Sequence, residues 1–417
     1  MPKFFFLALC LYADYALIGI GQIAVAQHME SFMERFTLDA AGVAFIIAGT
    51  GFGRAVGNSF AGFLSDAFGR RPVILAGTAG LMVSFAGLAA APTADLAFAA
   101  VLLGGVADSL IDAGTFPVLA EAFPESAAAK VVGTKVAMSV GQILFPLFVV
   151  HLLHRQAPGN IAFWTVAALA LINVLVLLRL AFPAFMPAKG VFRIKARGGF
   201  ALPVRRSPSL TGDALPLLVF AVPSCVAFVV AMIWMPFIAR EAAGATTAES
   251  LTTVSFFAAG SVAFGGCALL FLRRRVRAVM LLAVLPLFTT AAALAVWAYP
   301  TLTVCRTASF VIGAAAGGGI VQTAASVLMD FFPAAKARMA AAFLLIGAAS
   351  AACANLVLGG IAGESAEGLM LVNAAAGLAC ALLGVFVVGR YYRTFVIAAD
   401  SRRLGETRLM KYLGVSG

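Results

Sequence analysis

Twelve long apolar runs, separated by short polar stretches, dominate the sequence. Each run has roughly the 20 residues that an α-helix needs to cross the ~30 Å hydrocarbon core of a bilayer. The pattern therefore predicts an all-α membrane protein with twelve transmembrane helices, numbered here in chain order. The expected spans are residues 4–27, 38–63, 73–91, 96–120, 131–153, 161–181, 214–239, 250–272, 278–298, 302–329, 338–361 and 368–388.

A long polar segment between the sixth and seventh runs divides the chain. It is rich in Pro and basic residues, which is typical of a linker. The expected units are an N-terminal six-helix bundle (1–181), a basic linker (182–213), a C-terminal six-helix bundle (214–388) and a tail (389–417). Basic residues concentrate in the linker, the tail and alternate loops, whereas the opposite loops contain only Arg35, Arg155 and Arg240. The positive-inside rule then places the linker and both termini in the cytoplasm.

Composition excludes other classes of protein. Hydrophobic residues make up 62% of the chain and charged residues only 11%, so a soluble globule is not plausible. We assign the net charge of +11 to the membrane surface rather than to nucleic acid binding. All six cysteines lie inside apolar runs and never form Cys-x-x-Cys, which argues against disulfides and metal ligation. The first run lacks a small-residue cleavage site, and we interpret it as a spanning helix rather than a signal peptide.

The most distinctive local pattern connects helices 2 and 3. It reads Gly62-Phe63-Leu64-Ser65-Asp66-Ala67-Phe68-Gly69-Arg70-Arg71-Pro72. Its place between two apolar runs predicts a short loop at the membrane surface. Gly62 would let another helix approach closely, and Asp66 would face the positive N-terminus of a neighbouring helix. Arg70 and Arg71 would hold the loop on the cytoplasmic side.

This pattern closely resembles the signature loop of the major facilitator superfamily, and Ala67, where the family usually has Arg or Lys, is the single departure. The resemblance implies two pseudo-symmetric six-helix bundles that transport a solute by alternating access. It also implies that Asp66 faces the start of helix 11, near Lys336 and Arg338. The gating residues would be Gly62, Asp66, Gly69, Arg70, Arg71 and Glu121, with Arg70 reaching Glu121 at the end of helix 4.

An internal repeat supports the two-bundle division. The segment from Gly104 to Pro124 matches the segment from Gly313 to Pro333 without a gap, at an offset of 209 residues. Helices 4 and 10 therefore read as copies of one unit, as in the parallel duplication that relates the halves of facilitator transporters. The second copy of the signature has lost its Asp, which suggests that the N-terminal half carries more of the gating and coupling chemistry.

Ionisable residues at mid-depth point to the same half. At 1.5 Å per residue, Asp14, Arg54 and Asp108 all lie near the bilayer midplane, and we expect them to converge around a water-filled cavity. Asp112 lies one helical turn from Asp108, and Lys135 is its nearest candidate counter-charge. We expect Asp14 or Asp108 to carry a proton, and Arg54 to pair with it or to bind an anionic group of the substrate. The alternative is a fixed ion pair that locks helices 1, 2 and 4 together.

Weaker polar signals complete the candidate substrate site. The family cavity is lined largely by helices 1, 4, 7 and 10, with contributions from helices 2, 5, 8 and 11. By that resemblance the candidate substrate-binding residues are Tyr12, Tyr15, Gln22, Arg54, Gln142, Trp234 and Gln322. Each of these polar groups also suits an interhelical hydrogen bond.

The expected function is proton-coupled symport of a small organic acid or polar metabolite. Helix 4 lacks an Arg and helix 5 lacks the Gly-x-x-x-Gly-Pro-x-x-Gly-Gly run of drug/proton antiporters, although an exporter of amphiphilic compounds remains the alternative. Residues 108–117 also look like a group of uncharacterised bacterial facilitators, which implies the bacterial inner membrane. A solute sensor and a membrane enzyme are less favoured, because no signalling domain or catalytic constellation is evident. We expect no cofactor, metal or nucleic acid, and a monomer in the lipid bilayer.

Overall fold

A computed structural model describes residues 4–183, 206–271, 275–333 and 335–395 of the chain. Most of the predicted linker and tail lie outside these residues. The long helices are α1 Phe5–Gln27, α2 Ala40–Phe68, α3 Arg70–Ala90, α4 Ala94–Ala122, α5 Ala127–His154, α6 Asn160–Arg179, α7 Leu210–Glu241, α8 Thr247–Phe271, α9 Arg275–Ala298, α10 Leu302–Phe331, α11 Lys336–Glu364 and α12 Gly368–Thr394. A short helix, Met29–Phe36, joins α1 to α2.

The membrane-spanning prediction is confirmed in its main features. Within the described part of the chain, eleven helices are long and apolar enough to cross a bilayer. Helix α8, with 25 residues, is the remaining long helix. Helices α1–α6 form the N-terminal bundle and α7–α12 the C-terminal bundle, and the two bundles meet where α2 packs against α11 and α5 against α8.

Close helix contacts within each bundle rely on glycine. A Cβ at Gly53 of α2 would come within 2.0 Å of the Leu102 carbonyl oxygen of α4. In the C-terminal bundle, a Cβ at Gly313 of α10 would come equally close to the Phe257 carbonyl oxygen of α8. Without a surrounding hydrophobic driving force, membrane helices associate through such close backbone packing. The repeated pair, α2 with α4 and α8 with α10, fits the internal sequence repeat.

Two helices of the C-terminal bundle contain π-helical turns. In α7 these are Leu210–Ala214 and Val230–Trp234, and in α10 the turn covers Gly313–Ile320. Such turns widen the helix and often occur at functional sites. The glycines at 317–319 thus lie in a helical distortion inside the span.

The signature segment is not a loop, contrary to the prediction. Helix α2 continues to Phe68 and α3 begins at Arg70, so Gly69 alone connects them. Gly69 adopts φ 93°, a conformation that only glycine reaches without strain. No residue between Leu64 and Phe68 breaks a helix, and Pro72 is tolerated because it falls in the first turn of α3. Asp66 consequently lies in the last turn of α2.

We call the end of the molecule at Gly69 the signature end and the other the opposite end. Side-chain hydrogen bonds between the bundles, within the described residues, lie from mid-depth to the opposite end. Glu30 binds Thr247 and forms an ion pair with Arg240. Ser255 of α8 donates to the Ile143 carbonyl oxygen of α5 at 3.0 Å. At the signature end, by contrast, a Cβ on Gly62 would meet nothing within 4 Å. The expected close approach of another helix at Gly62 is therefore absent.

Candidate functional site

A cavity of about 210 Å³ lies between the two bundles near mid-depth. Helices α1, α2 and α5 form one wall, and α7, α10 and α11 form the other. The polar residues on its surface are Gln22, Thr50, Arg54, Asn58, Lys135, Gln322 and Asn355. The two bundles contact each other through Glu30 at the opposite end, whereas nothing lies within 4 Å of a Cβ on Gly62 at the signature end.

Arg54 joins two acidic side chains at the edge of the cavity. Its Nη1 donates to Asp108 Oδ2 at 3.0 Å and its Nη2 to Asp112 Oδ2 at 2.9 Å. The side chain of Asp108 is 4% exposed, whereas that of Asp112 is 23% exposed. Asp108 and Asp112 lie one turn apart on α4, so one guanidinium reaches both. Removing one partner from such a buried group costs about 3–5 kcal/mol because it leaves an unpaired charge.

Tyr15 and Lys135 complete this charge cluster. The Tyr15 hydroxyl, on α1, donates to Asp112 Oδ1 at 2.6 Å, which fixes the carboxylate from the side away from Arg54. Lys135 of α5 lines the same cavity as Arg54 and is exposed to it. Among the residues that the structure describes, Lys135 has no hydrogen bond or ion pair. The expected pairing of Lys135 with Asp112 is therefore replaced by the pairing of Asp112 with Arg54.

Asp14 does not join the cluster, and the predicted convergence of Asp14 with Arg54 and Asp108 is wrong. Asp14 is fully buried between α1, α3 and α6. Its Oδ1 accepts from Asn173 Nδ2 at 2.7 Å and its Oδ2 from the Thr78 hydroxyl at 3.1 Å. Consecutive helical residues point about 100° apart. Because Tyr15 faces Asp112, its neighbour Asp14 must face another seam.

The other predicted substrate residues divide between the cavity and the helix packing. Gln22 lines the cavity and accepts from Gln142 Nε2 at 3.0 Å. Gln322 also lines it, and its Nε2 donates to the Gly317 carbonyl oxygen. Tyr12 instead donates to the Lys130 carbonyl oxygen, towards the signature end. Of these candidates on α1, Gln22 lines the cavity, whereas Tyr12 and Tyr15 do not.

Trp234 does not line the cavity but binds a residue that does. Its ring is fully buried, and its Nε1 donates to Asn355 Oδ1 at 3.2 Å. Asn355 of α11 is itself a cavity residue that the sequence analysis missed. A polar side chain in the middle of an apolar run was the available signal. The same signal marked Thr78 and Asn173, which donate hydrogen bonds to Asp14.

Arg70 ties the signature segment to its own bundle. Its Nη1 lies 2.6 Å from Asp66 Oδ1, and its Nε lies 3.9 Å from Glu121 Oε1. The expected approach of Arg70 to Glu121 is thus present in the geometry. Arg71 donates to the Leu178 carbonyl oxygen of α6. The Asp66 side chain is 72% exposed and has no described contact with Arg338, while the Lys336 side chain lies outside the description.

The opposite end contains an ion-pair cluster that sequence reasoning did not find. Glu30, on the short helix Met29–Phe36, meets both Arg240 and Thr247 of the C-terminal bundle. Arg240 also pairs with Glu241 at 2.8 Å. Basic residues are rare in the loops at this end, and this rarity could have indicated that Arg240 has a specific role. No group of metal-ligating side chains occurs in the part of the chain that was described.

Comparison with known proteins agrees with this architecture. Residues 4–355 match the family model of the Major Facilitator Superfamily. Inner membrane transport protein YdiN of Escherichia coli (strain K12) is 31% identical over 409 residues, which cover 97% of this chain and 95% of that protein. The uncharacterized MFS-type transporter YfkL of Bacillus subtilis (strain 168) is 34% identical over 281 residues, or 67% of this chain and 69% of that one.

Solved structures show the same fold. The inward open conformation of the xylose transporter XylE from E. coli superposes with a TM-score of 0.74. The alignment covers 94% of this chain and 96% of that chain at 14% identity. The chain therefore belongs to the Major Facilitator Superfamily, and it is a multi-pass membrane protein and secondary transporter rather than an enzyme.

Proposed function

We propose that this protein is a proton-coupled symporter of a small organic acid in the bacterial inner membrane. The observation that carries the proposal is the cluster at the cavity edge, in which Arg54 holds Asp108 and Asp112 while Lys135 stands unpaired nearby. Charged groups inside a membrane are costly and commonly mark ion and substrate pathways. We also propose that both termini are cytoplasmic and that the monomer is the working unit.

The charges of the cluster account for coupling. Arg54 and Lys135 carry two positive charges and Asp108 and Asp112 two negative ones when ionised, so the four groups together are neutral. A proton taken up by one carboxylate leaves one net positive charge, and an organic anion then restores neutrality. Because unbalanced charge is unfavourable in a low-dielectric site, the proton and the anion stabilise each other's binding.

Asp112 is the proton acceptor that the geometry favours. Its side chain is more exposed than that of Asp108, and it accepts from both Tyr15 and Arg54. Protonation weakens its ion pair with Arg54 and leaves the cluster, which includes Lys135, with one positive charge in excess that attracts the incoming carboxylate. Asp14 has no cation among its described partners and contacts only neutral donors, so we leave it out of the coupling pathway.

Alternating access would use the two ends of the bundle interface. In this state the cavity would open at the signature end, because Glu30, Arg240 and Thr247 hold the opposite end together. In the outward-facing state these contacts would separate. The exposed Asp66 and the open space at Gly62 would then be covered by α11, which gives the signature residues their gating role.

Calorimetry on the purified full chain tests the coupling. Acetate, lactate, succinate and benzoate serve as probes, each titrated in two buffers with different ionisation enthalpies. A bound anion should bring about one proton with it, because the cluster is neutral before binding. Asp112→Asn, which resembles the protonated state, should bind the anion without proton uptake. Asp66→Ala should keep anion binding and slow transport in proteoliposomes.

Two outcomes would contradict the proposal. Anion binding without any proton uptake by the unmodified protein would remove the coupling, and a preference for neutral or cationic probes would remove the anion site. The second candidate, export of amphiphilic compounds, draws support from the apolar wall formed by Phe228, Met232 and Phe343. Transport of a dye cation out of cells, driven by the proton gradient, would favour that alternative.

A further inference from the structure

The two walls of the central cavity differ in charge. The wall from the N-terminal bundle contains Arg54 and Lys135. The wall from α7, α10 and α11 has no acidic or basic side chain among its described residues. Its surface consists mainly of apolar groups, including Phe228, Met232 and Phe343. A solute in the cavity therefore touches a cationic surface on one side and an apolar surface on the other.

Only one cation of this cavity is without a carboxylate partner in the described structure. Arg54 is held by two aspartates, whereas Lys135 has neither a hydrogen bond nor an ion pair. A solute with one carboxylate would satisfy Lys135. A second carboxylate would lie against the uncharged wall, where no cation offsets the loss of its hydration.

The two amides on the apolar wall are already engaged. Asn355 accepts from Trp234 through Oδ1 and donates to the Ala351 carbonyl oxygen through Nδ2. Gln322 donates to the Gly317 carbonyl oxygen through Nε2, while its Oε1 is buried without a hydrogen-bond partner among the described residues. The donor groups of both amides thus already have partners inside the protein, and Gln322 Oε1 is the single amide atom of this wall that a polar group on the solute could still satisfy.

The size of the cavity sets the size of the solute. It measures about 210 Å³, and an apolar cavity of about 150 Å³ holds one benzene molecule. A six-membered ring with one carboxylate therefore fits. The ring of Phe228 is half-buried and packs edge to face on Phe257, with centroids 5.4 Å apart. This contact supports Phe228 from behind and leaves part of its ring towards the cavity.

We infer that the substrate is a monocarboxylate with a ring-sized apolar body, its carboxylate bound at Lys135 and its body packed against Phe228 and Met232. This inference rests on the proposed function. It makes Lys135 and Phe228 specificity-determining residues: Lys135 selects the single negative charge, and Phe228 selects the apolar body.

Calorimetry with benzoate, succinate and benzamide on the purified full chain tests the inference. Benzoate should bind about tenfold more tightly than succinate or benzamide, since only benzoate matches both walls. Lys135→Gln should weaken benzoate binding about tenfold and leave benzamide unchanged, while Lys135→Arg should retain benzoate binding. Phe228→Ala should weaken benzoate several-fold and leave acetate unchanged. Phe288→Ala, at an exposed position on α9, is the matched control and should change neither.

Separate results would overturn the inference and the proposed function. Succinate binding as tightly as benzoate, with proton uptake, would overturn the inference and leave the symporter intact. Unchanged benzoate affinity in Phe228→Ala would also overturn it. If no anion binds the unmodified protein, both proposals fail together. If Lys135→Gln does not fold, the comparison of Lys135→Arg with Phe228→Ala still decides between the two walls.

Discussion

Helices α4 and α10 share a similar sequence segment but differ in chemistry. At the offset of 209 residues, Asp108 and Asp112 of α4 correspond to Gly317 and Val321 of α10. In α4 these positions carry the carboxylates that Arg54 binds. In α10, Gly317 lies in a π-helical turn that packs against α8. Of the two similar helices, α4 thus carries the charged residues, whereas α10 is distorted and rich in glycine.

This difference suggests a division of roles between the bundles. The N-terminal bundle holds the ionisable groups, and its close contact at Gly53 fixes α2 against α4, so that Arg54 stays within reach of both acids. The C-terminal bundle contributes shape, because its cavity wall is apolar and two of its helices contain π turns. In alternating access one bundle rocks against the other around the bound substrate, so the two walls of the site can have different roles. The following substitutions test whether the roles are separable.

The largest effect is expected from Arg54→Met. It leaves two acids at the cavity edge without their cation, so we expect a loss of about 3–5 kcal/mol in stability unless the acids take up protons. Transport should fall by about 100-fold or more, since no group then links proton binding to the anion. Thermal unfolding and proteoliposome uptake measure the two effects.

A compensating variant separates stability from coupling. Arg54→Met combined with Asp108→Asn and Asp112→Asn removes the unpaired charges and should recover most of the unfolding temperature. It should not recover proton-coupled transport. If transport returns in this triple variant, the cluster is a structural ion pair that locks α2 to α4, and the coupling site lies elsewhere.

A smaller effect is expected when the chemistry of α4 is placed on α10. Gly317→Asp adds a carboxylate to the uncharged wall of the cavity, and its Cβ would lie 3.1 Å from Phe257. We expect destabilisation of about 2–3 kcal/mol, and weaker binding of anionic solutes because of the added negative charge. Gly317→Ala has the same steric contact without the charge and should cost about 1 kcal/mol. Equal effects from both variants would show that sterics alone matter here.

Much of the architecture followed from the sequence because it depends on length and polarity. Twenty apolar residues define a span regardless of their neighbours, and the segment 182–213 marks the boundary between two sets of six spans. The signature pattern identified the family. Depth also followed from counting residues, and Arg54 and Asp108 do lie at matching levels, close enough to form an ion pair.

The direction of each side chain around its helix did not follow from the sequence. Spanning helices such as α1 are apolar on every face, so no amphipathic stripe tells which side points to the cavity. Asp14 has the expected depth but faces α3 and α6. The adjacent Tyr15 faces Asp112 instead. The end of α2 was misplaced for a related reason: charge at Asp66 indicated a surface, but surface position does not end a helix that lacks a breaker.

Gly69 distinguishes the signature connection of the N-terminal bundle from its altered copy at 272–277, which has no glycine. Its φ of 93° is unfavourable for any residue with a Cβ. Gly69→Ala should therefore cost about 1–2 kcal/mol of stability, and thermal unfolding in detergent would measure it. An unchanged unfolding temperature would mean that the connection between α2 and α3 relaxes without strain, and that glycine is not needed there.

Gly62→Ala gives the smallest effect on stability and the most direct information about gating. Nothing lies within 4 Å of its Cβ position, so alanine should stabilise this part of α2 by about 0.5–1 kcal/mol. If α11 covers Gly62 in the outward-facing state, the same methyl group obstructs that contact and transport slows although the protein is more stable. Uptake at the normal rate would instead indicate that the bundles never close at this point, and the signature residues would then act within the N-terminal bundle alone.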